Sequence, residues 1–166
     1  MIEYRQLRLI TYGCGHVFDR AKFKPIKNLH VKPRGGLWAS PADSGYGWKQ
    51  WCETEEFNVD KLACSFEFIY AGRTLVIDRL HDLRDMKFQP FQPFLLYARS
   101  RACPDYEAMI TDGVDAIYLT ERGQRETSYS VPANLYGYDC ESVLVMNPDC
   151  IEVEQCLRTD CREVAR

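Results

Sequence analysis

Residues 139–146 read DCESVLVM, and this stretch decides the fold class. Its apolar run contains β-branched residues and is followed by the turn-forming sequence NPD at 147–149, so the pattern predicts a strand over 141–146. Asp139 and Glu141 stand two residues apart, and on an extended chain both side chains would point the same way. The stretch therefore predicts a strand that begins beside two carboxylates.

Other short apolar runs predict further strands. Alternating residues predict one over 5–11, and a second follows Gly35 and Gly36 and stops at Pro41. Gly72 is a typical turn residue, so the runs on either side of it are predicted to form a hairpin. The predicted strands cover 5–11, 37–40, 64–70, 74–77, 114–120, 141–146 and 150–153.

About three short helices are predicted between these strands. A helix capped by Asp43 or Ser44 would carry Trp48 and Trp51 on one face. The others run from Asp78 to Met86 and from Pro104 to Gly113, and 19–35, 87–94 and 121–138 are predicted loops. Since no βαβ alternation or GxGxxG sequence is present, we predict one α+β domain over 1–166 rather than a Rossmann fold.

The composition is that of a folded domain without a membrane segment. The chain has 166 residues, of which 46% are hydrophobic and 13% aromatic, which argues against disorder. No apolar run approaches the roughly 20 residues that a membrane span needs. The first residues lack the apolar core of a secretion signal, so we expect a cytoplasmic protein whose eight cysteines are mostly free thiols. Their spacing includes no CxxC pair, so no metal site is predicted.

Charge is unevenly distributed along the chain. Residues 1–34 carry eight Lys or Arg and two acids, whereas 139–166 carry three Lys or Arg and seven acids. A basic N-terminal region suits an anionic partner such as a phosphate or a nucleic acid, and it also fits an ordinary solvated face. A nucleic-acid-binding module is therefore one interpretation of this region.

Segments spread over the chain resemble the ADP-ribosyltransferase superfamily. The sequence TYGCG at 11–15, followed by Phe18, is similar to the end of the first strand in that family. The sequence GLWASP at 36–41 resembles its Gly-x-Tyr-Phe-x-Ser/Thr strand, and DCESVLVMNP at 139–148 resembles its E-x-E-V-L-x-P element. The sequence GVDAI at 113–117 is similar to a strand common in prokaryotic members.

This resemblance implies a split β-sheet sandwich that holds NAD⁺ in a cleft between two small sheets. It also implies a mono-ADP-ribosyltransferase of the small bacterial or phage type. Such an enzyme cleaves the bond between nicotinamide and ribose and transfers ADP-ribose to a macromolecular acceptor, either a protein or a nucleic acid. Bond cleavage develops positive charge on the ribose, and a nearby carboxylate stabilises that charge.

The resemblance implies catalytic roles for three residues. Glu141 is the expected catalytic acid, Asp139 is expected to orient the acceptor, and Ser40 is expected to contact the ribose or support Glu141. Each has a structural alternative. Glu141 also fits a charge on an edge strand, Asp139 also fits a turn next to Gly137, and Ser40 also fits a helix cap.

The resemblance also implies an NAD-binding set near the first two segments. Its members are Tyr12, Gly13, Gly36, Trp38 and Arg34, with Lys32 beside Arg34 as a second candidate to meet the pyrophosphate. Tyr12 stands where the family typically has His or Arg, so the charge of that side chain is missing. The alternative function is therefore a catalytically degenerate protein of the same fold that binds or inhibits a protein or nucleic-acid partner.

Overall fold

The computed structural model describes residues 1–29, 32–90 and 102–152, and it shows a mixed α+β protein. The larger sheet has six strands in the order β1-β2-β7-β6-β3-β8, and β1 also pairs with β3. Strands β1, β2, β7, β6 and β3 therefore form a closed five-stranded barrel. The strands are β1 Ile2–Tyr12, β2 Leu37–Pro41, β3 Ser65–Ile77, β4 Phe88–Pro90, β5 Ala102–Pro104, β6 Ala116–Leu119, β7 Ser142–Val145 and β8 Ile151–Glu152.

The predicted hairpin over 64–77 is wrong, because β3 continues through Gly72 as one strand of 13 residues. Strand β1 pairs with it from Ile2 opposite Leu75 to Tyr12 opposite Ser65, so cross-strand hydrogen bonds hold it extended throughout. A Cβ atom at Gly72 would lie 2.8 Å from the Tyr70 hydroxyl. The glycine is therefore needed for close packing within a strand rather than for a turn.

Two hydrophobic clusters lie on opposite faces of the barrel strands. Alternate residues from all five strands, including Leu9, Phe68, Val143 and Val145, form the cluster inside the barrel. The opposite faces contribute to a second cluster, which packs outside the barrel. Strand β7 supplies both, since Val143 and Val145 face inward whereas Leu144 lies in the outer cluster.

The described residues include the α-helices α1 Trp48–Thr54, α2 Tyr106–Thr111 and α3 Glu121–Thr127. Helix α1 begins later than predicted, because Gly47 is its N-cap and Ser44 has another partner. Helix α2 lies within the predicted segment 104–113, but Pro104 is the last residue of β5 rather than the first residue of the helix. Asp105 Oδ1 accepts a hydrogen bond from the Ala108 backbone at 3.1 Å, and Gly113 follows the helix with φ +78°.

Helix α3 lies inside the predicted loop 121–138, so that prediction is wrong over 121–127. Thr120 caps the helix, since its Oγ1 accepts a hydrogen bond from the Gly123 backbone at 3.0 Å. The predicted helix from Asp78 to Met86 is a 3-10 helix over Leu80–Asp85. Part of the predicted loop 87–94 is strand β4, and residues 91–94 lie outside the described residues.

The cysteines at 14, 52, 64, 103, 140 and 150 are free, and Cys156 and Cys161 lie outside the described residues. No helix in the described ranges has the length and apolar character to cross a bilayer.

Candidate functional site

A cavity of about 320 Å³ opens beside β1, β2 and β7. Antiparallel pairing places Ile10 opposite Ser40 and Trp38 opposite Leu144, so side chains from the three strands share one face. The lining of the cavity includes Tyr12, Lys32, Trp38, Ser40, Trp48 and Asp139. Segments that are more than 100 residues apart in sequence therefore meet at one site.

Aromatic side chains form much of the cavity wall, and neighbouring rings support them. Trp38 packs edge-on against Tyr138, with ring centroids 4.9 Å apart, and Tyr138 is almost fully buried. Trp48 stacks on Trp51 at 5.0 Å. Burial, reinforced by Glu67 and Glu53, raises the pKa of Tyr12, so its phenol stays protonated and able to donate. The wall suits a flat ring and offers it a hydroxyl donor.

One ion pair lies in the cavity. Lys32 Nζ is 3.2 Å from Asp139 Oδ2 and 5.1 Å from the centroid of the Trp38 ring. Both charged side chains are partly exposed, at 42% for Lys32 and 33% for Asp139. Among the described lining residues, these two carry the only full charges.

Ser40 connects the cavity to the backbone of Glu141. The residue is 2% exposed, and its Oγ accepts from the Trp48 backbone at 2.8 Å and donates to the Glu141 carbonyl at 3.1 Å. A Cβ atom at Gly47 would approach Ser40 Cβ to 2.8 Å, so Gly47 lets the start of α1 lie this close. Ser40 thus links the start of α1 to the residue before β7, and it does so from within β2 rather than as the N-cap of a helix. Its contact with Glu141 is to the backbone carbonyl and not to the carboxylate.

Glu141 is held by hydroxyl groups from two other segments. Tyr118 on β6 donates to Oε1 at 2.6 Å, and Ser44 between β2 and α1 donates to Oε2 at 2.5 Å. We call these three residues the Glu141 cluster. Burial raises the pKa of Tyr118 further above 10, and the Glu141 carboxylate adds to this effect, so Tyr118 remains a donor at neutral pH.

Asp139 and Glu141 have different partners. Asp139 lines the cavity and pairs with Lys32, whereas the Glu141 carboxylate meets Tyr118 and Ser44 and is not part of the lining. The chain bends at Cys140 and Glu141 before β7 begins, so it is not extended over these residues as predicted. Tyr118 is the cross-strand partner of Val143, an inward-facing residue, so the Tyr118 ring packs on the inward face of β6.

The predicted cofactor residues separate into two groups. Tyr12, Trp38 and Gly36 line the cavity, and Gly13 directly follows Tyr12. Arg34 is exposed and outside the lining, where its backbone exchanges hydrogen bonds of 2.9 Å with Lys27. The cation at the cavity is therefore Lys32.

Gly36 has a packing role at the cavity wall. Its φ is +69°, and a Cβ atom there would lie 2.8 Å from both Ile26 Cδ1 and Leu144 Cδ1. A side chain at this position is excluded by conformation and by space.

Sequence reasoning assigned no role to Tyr118, and it considered Ser44 only as a helix cap. A signal for Tyr118 is its place in a predicted strand beside apolar residues, because a buried tyrosine hydroxyl usually finds a hydrogen-bond partner. No comparable signal exists for Ser44, since its contact with Glu141 joins residues 97 positions apart.

No protein-family model, no curated protein and no solved structure matches this chain. Within the described ranges, no group of three or more His, Cys, Asp or Glu side chains is arranged to hold a metal ion.

Proposed function

We propose that this chain is an NAD-dependent mono-ADP-ribosyltransferase that acts on a macromolecular acceptor. The observation that carries the proposal is the convergence of three of the four family-like segments, since the fourth, 113–117, does not contribute to the cavity lining. Residues from 11–15, 36–41 and 139–148 belong to or adjoin β1, β2 and β7, and each segment contributes side chains to one cavity. The segments are far apart in sequence and the resemblance does not depend on their contact, so their meeting at one cavity supports the proposal.

The strand order is compatible with the implied split sheet. Strand β1 is shared by the set β1-β2-β7-β6 and by the set β1-β3-β8, so it joins two small groups of strands. The parallel pairing of β3 with β6 closes the barrel, and the resemblance does not predict this closure. The cavity lies beside the shared strand, where a ligand would contact the first set of strands.

The cavity offers the groups that cleavage of NAD⁺ requires. The nicotinamide ring would pack against Trp38 and Trp48, and the Tyr12 hydroxyl would donate to a ribose hydroxyl. The bond between ribose C1′ and the nicotinamide nitrogen breaks, and its electron pair leaves with nicotinamide. The acceptor's nucleophilic atom then bonds to C1′ and loses a proton. Aromatic walls that exclude water would favour transfer over hydrolysis.

Two acids are candidates to stabilise the charge that develops on the ribose. The resemblance gives this role to Glu141, but the geometry favours Asp139, because Asp139 lines the cavity. Both Glu141 carboxylate oxygens accept short hydrogen bonds from Tyr118 and Ser44, so that side chain would have to leave its partners to enter. We therefore assign the charge-stabilising role to Asp139 and the positioning of the strand start to Glu141.

The test is to incubate the chain with labelled NAD⁺ and a bacterial lysate, and to measure nicotinamide release and labelled macromolecules. Asp139→Asn should lower release about 100-fold or more, because a neutral amide no longer offsets the charge on the ribose. Glu152→Gln, at an exposed acid on β8, is the matched control and should retain full release. Full release by a folded Asp139→Asn variant would contradict the assignment, and no release by the unmodified chain would contradict the transferase.

A second candidate function is NAD binding without turnover, on the same cavity. The specific observation in its favour is that the acid corresponding to the family's catalytic residue, Glu141, lies outside the cavity lining while Tyr12 replaces a charged residue. This function predicts saturable NAD⁺ binding with no nicotinamide release in the presence of any acceptor. A release rate proportional to protein concentration would exclude it.

A further inference from the structure

A cation of the chain already occupies the face of Trp38. The Lys32 ammonium lies 5.1 Å from the ring centroid and 3.2 Å from an oxygen of Asp139. An aromatic face is negative at its centre, so it attracts a cation electrostatically, and the carboxylate does the same. Trp38 and Asp139 therefore form two sides of a receptor for positive charge.

The Trp38 ring is rigidly held, whereas Lys32 is not. The packing of Tyr138 against Trp38 fixes the ring, and Lys32 is 42% exposed on a flexible four-carbon stem. An exposed ion pair of this kind contributes little net stability, because holding two side chains in one geometry costs conformational entropy. Displacing the Lys32 ammonium therefore costs little free energy, and the Trp38 ring and the Asp139 carboxylate stay in place.

A flat cationic ring would use this receptor better than an ammonium does. It would stack over the Trp38 face, gain apolar contact with the cavity wall and keep its charge beside Asp139. A neutral ring of the same shape gains only the stacking and must still compete with Lys32. The cavity is thus charge-selective as well as shape-selective.

We propose that the cavity selects a cationic aromatic ring of the pyridinium class over its neutral analogue, and that Lys32 is an internal competitor which the ligand displaces. The identity of this ring as the oxidised nicotinamide of NAD⁺ rests on the proposed function. The charge preference itself does not, since it follows from the placement of Trp38, Asp139 and Lys32. It predicts that the oxidised dinucleotide binds more tightly than the reduced one.

The alternative role for Lys32 is direct binding of the dinucleotide phosphates, and this role predicts that removing the lysine leaves the binding of a probe without phosphate unchanged. Two small probes without phosphate separate them: the 1-methylnicotinamide cation and neutral nicotinamide. Isothermal titration of the full chain with each probe should show at least about tenfold tighter binding of the cation. Equal affinity, or a preference for nicotinamide, overturns the proposal without any variant.

The variant Lys32→Met keeps the length of the side chain and removes its charge. It should bind 1-methylnicotinamide about five- to tenfold more tightly than the unmodified chain. Nicotinamide should gain less, because both rings gain access to the Trp38 face but only the cation also gains the freed Asp139 carboxylate. Lys87→Met is the control, because it removes a lysine that pairs with an acid, Asp112, at 3.0 Å outside the cavity lining. Unchanged or weaker binding of the cation by Lys32→Met would overturn the proposal.

The same titrations distinguish failure of this inference from failure of the proposed function. If the chain prefers the cation but releases no nicotinamide from NAD⁺, the charge-selective site is supported and the transferase function is contradicted. If the chain releases nicotinamide from NAD⁺ but binds 1-methylnicotinamide and nicotinamide equally well, the transferase function is supported and the role assigned to Lys32 is contradicted. Asp139→Asn adds a further readout, because it should abolish the preference for the cation.

Discussion

Removal of the Tyr118 hydroxyl tests whether the Glu141 cluster stabilises the fold. Tyr118→Phe deletes one hydrogen bond of 2.6 Å to a carboxylate and leaves the ring in place. A hydrogen bond to a charged group contributes about 1.5–3 kcal/mol, and the cluster is only partly buried. We therefore expect the free energy of unfolding to fall by about 2 kcal/mol, which for a chain of this size lowers the melting temperature by about 4–8 °C.

The assay is urea unfolding, followed by tryptophan fluorescence and circular dichroism, so that the two signals check two-state behaviour. Tyr129→Phe is the matched control, because Tyr129 is 71% exposed and belongs to no part of the cluster. Its effect should stay within about 0.5 kcal/mol. Ser44→Ala removes the other hydroxyl, and the double variant measures the coupling between the two.

Tyr118 and Ser44 bind different oxygens of one carboxylate, so their effects should not be additive. Loss of both donors leaves the Glu141 charge with neither hydroxyl, and the coupling energy should reach about 0.5–2 kcal/mol. Equal stability of Tyr118→Phe and Tyr129→Phe would refute the reasoning, because it would mean that the short hydrogen bond contributes nothing beyond what water supplies.

Two further predictions concern backbone conformation and pH. Gly36→Ala should lower the free energy of unfolding by about 2–4 kcal/mol in urea, because φ is +69° and a Cβ atom would press on Ile26, whereas Gly45→Ala meets nothing within 4 Å and should be neutral. Burial raises the pKa of Cys140 from 9.0 to about 11, so the folded state holds this proton more tightly. The stabilisation from the Cys140 thiol is therefore complete below the pKa of the unfolded state, and it is lost as the pH rises through the pKa of the folded state. The total loss should be about 2–3 kcal/mol. Urea unfolding midpoints measured between these two pKa values should be less pH-dependent in Cys140→Ala than in the unmodified chain.

Strands whose pattern is local were predictable from sequence. The predicted strand at 37–40 agrees with β2, and 141–146 brackets β7, because each short apolar run ends at a Pro or Asn signal. The prediction failed at Gly72, where a turn signal is outweighed by pairing with the whole of β1. Which partner a strand finds is a tertiary property, and a sequence window does not contain it.

Helix α3 was missed although the sequence contains a signal for its start, because other residues in the segment favoured a loop. Thr120 is a good N-cap, yet Gly123 inside the segment and the polar residues around it favoured a loop. The structure explains the glycine, because a Cβ atom at Gly123 would collide with the Ile77 carbonyl. A residue that weakens a helix in isolation here lets the helix lie directly on the end of β3.

The cavity residues were predictable to the extent that strand pairing places them. Tyr12, Trp38 and Ser40 meet because β1 and β2 are antiparallel neighbours. Arg34 was misplaced because it precedes Gly35, which has a φ of +86°, so the chain changes direction between that residue and β2. Lys32 was only a second candidate, and its contact with Trp38 depends on a loop whose course the sequence does not specify.

The burial of β7 and the bend before it separate the two acids. Val143 and Val145 are fully buried inside the barrel, and Ser142 lines the cavity on the other face. A shift of one residue in the register of β7 would move both valines out of the barrel interior, so packing fixes where the strand starts. Glu141 lies in the bend before the strand, and its hydrogen bonds to Tyr118 and Ser44 hold its carboxylate outside the cavity lining. Asp139 lies on the far side of the bend, where it lines the cavity beside Trp38.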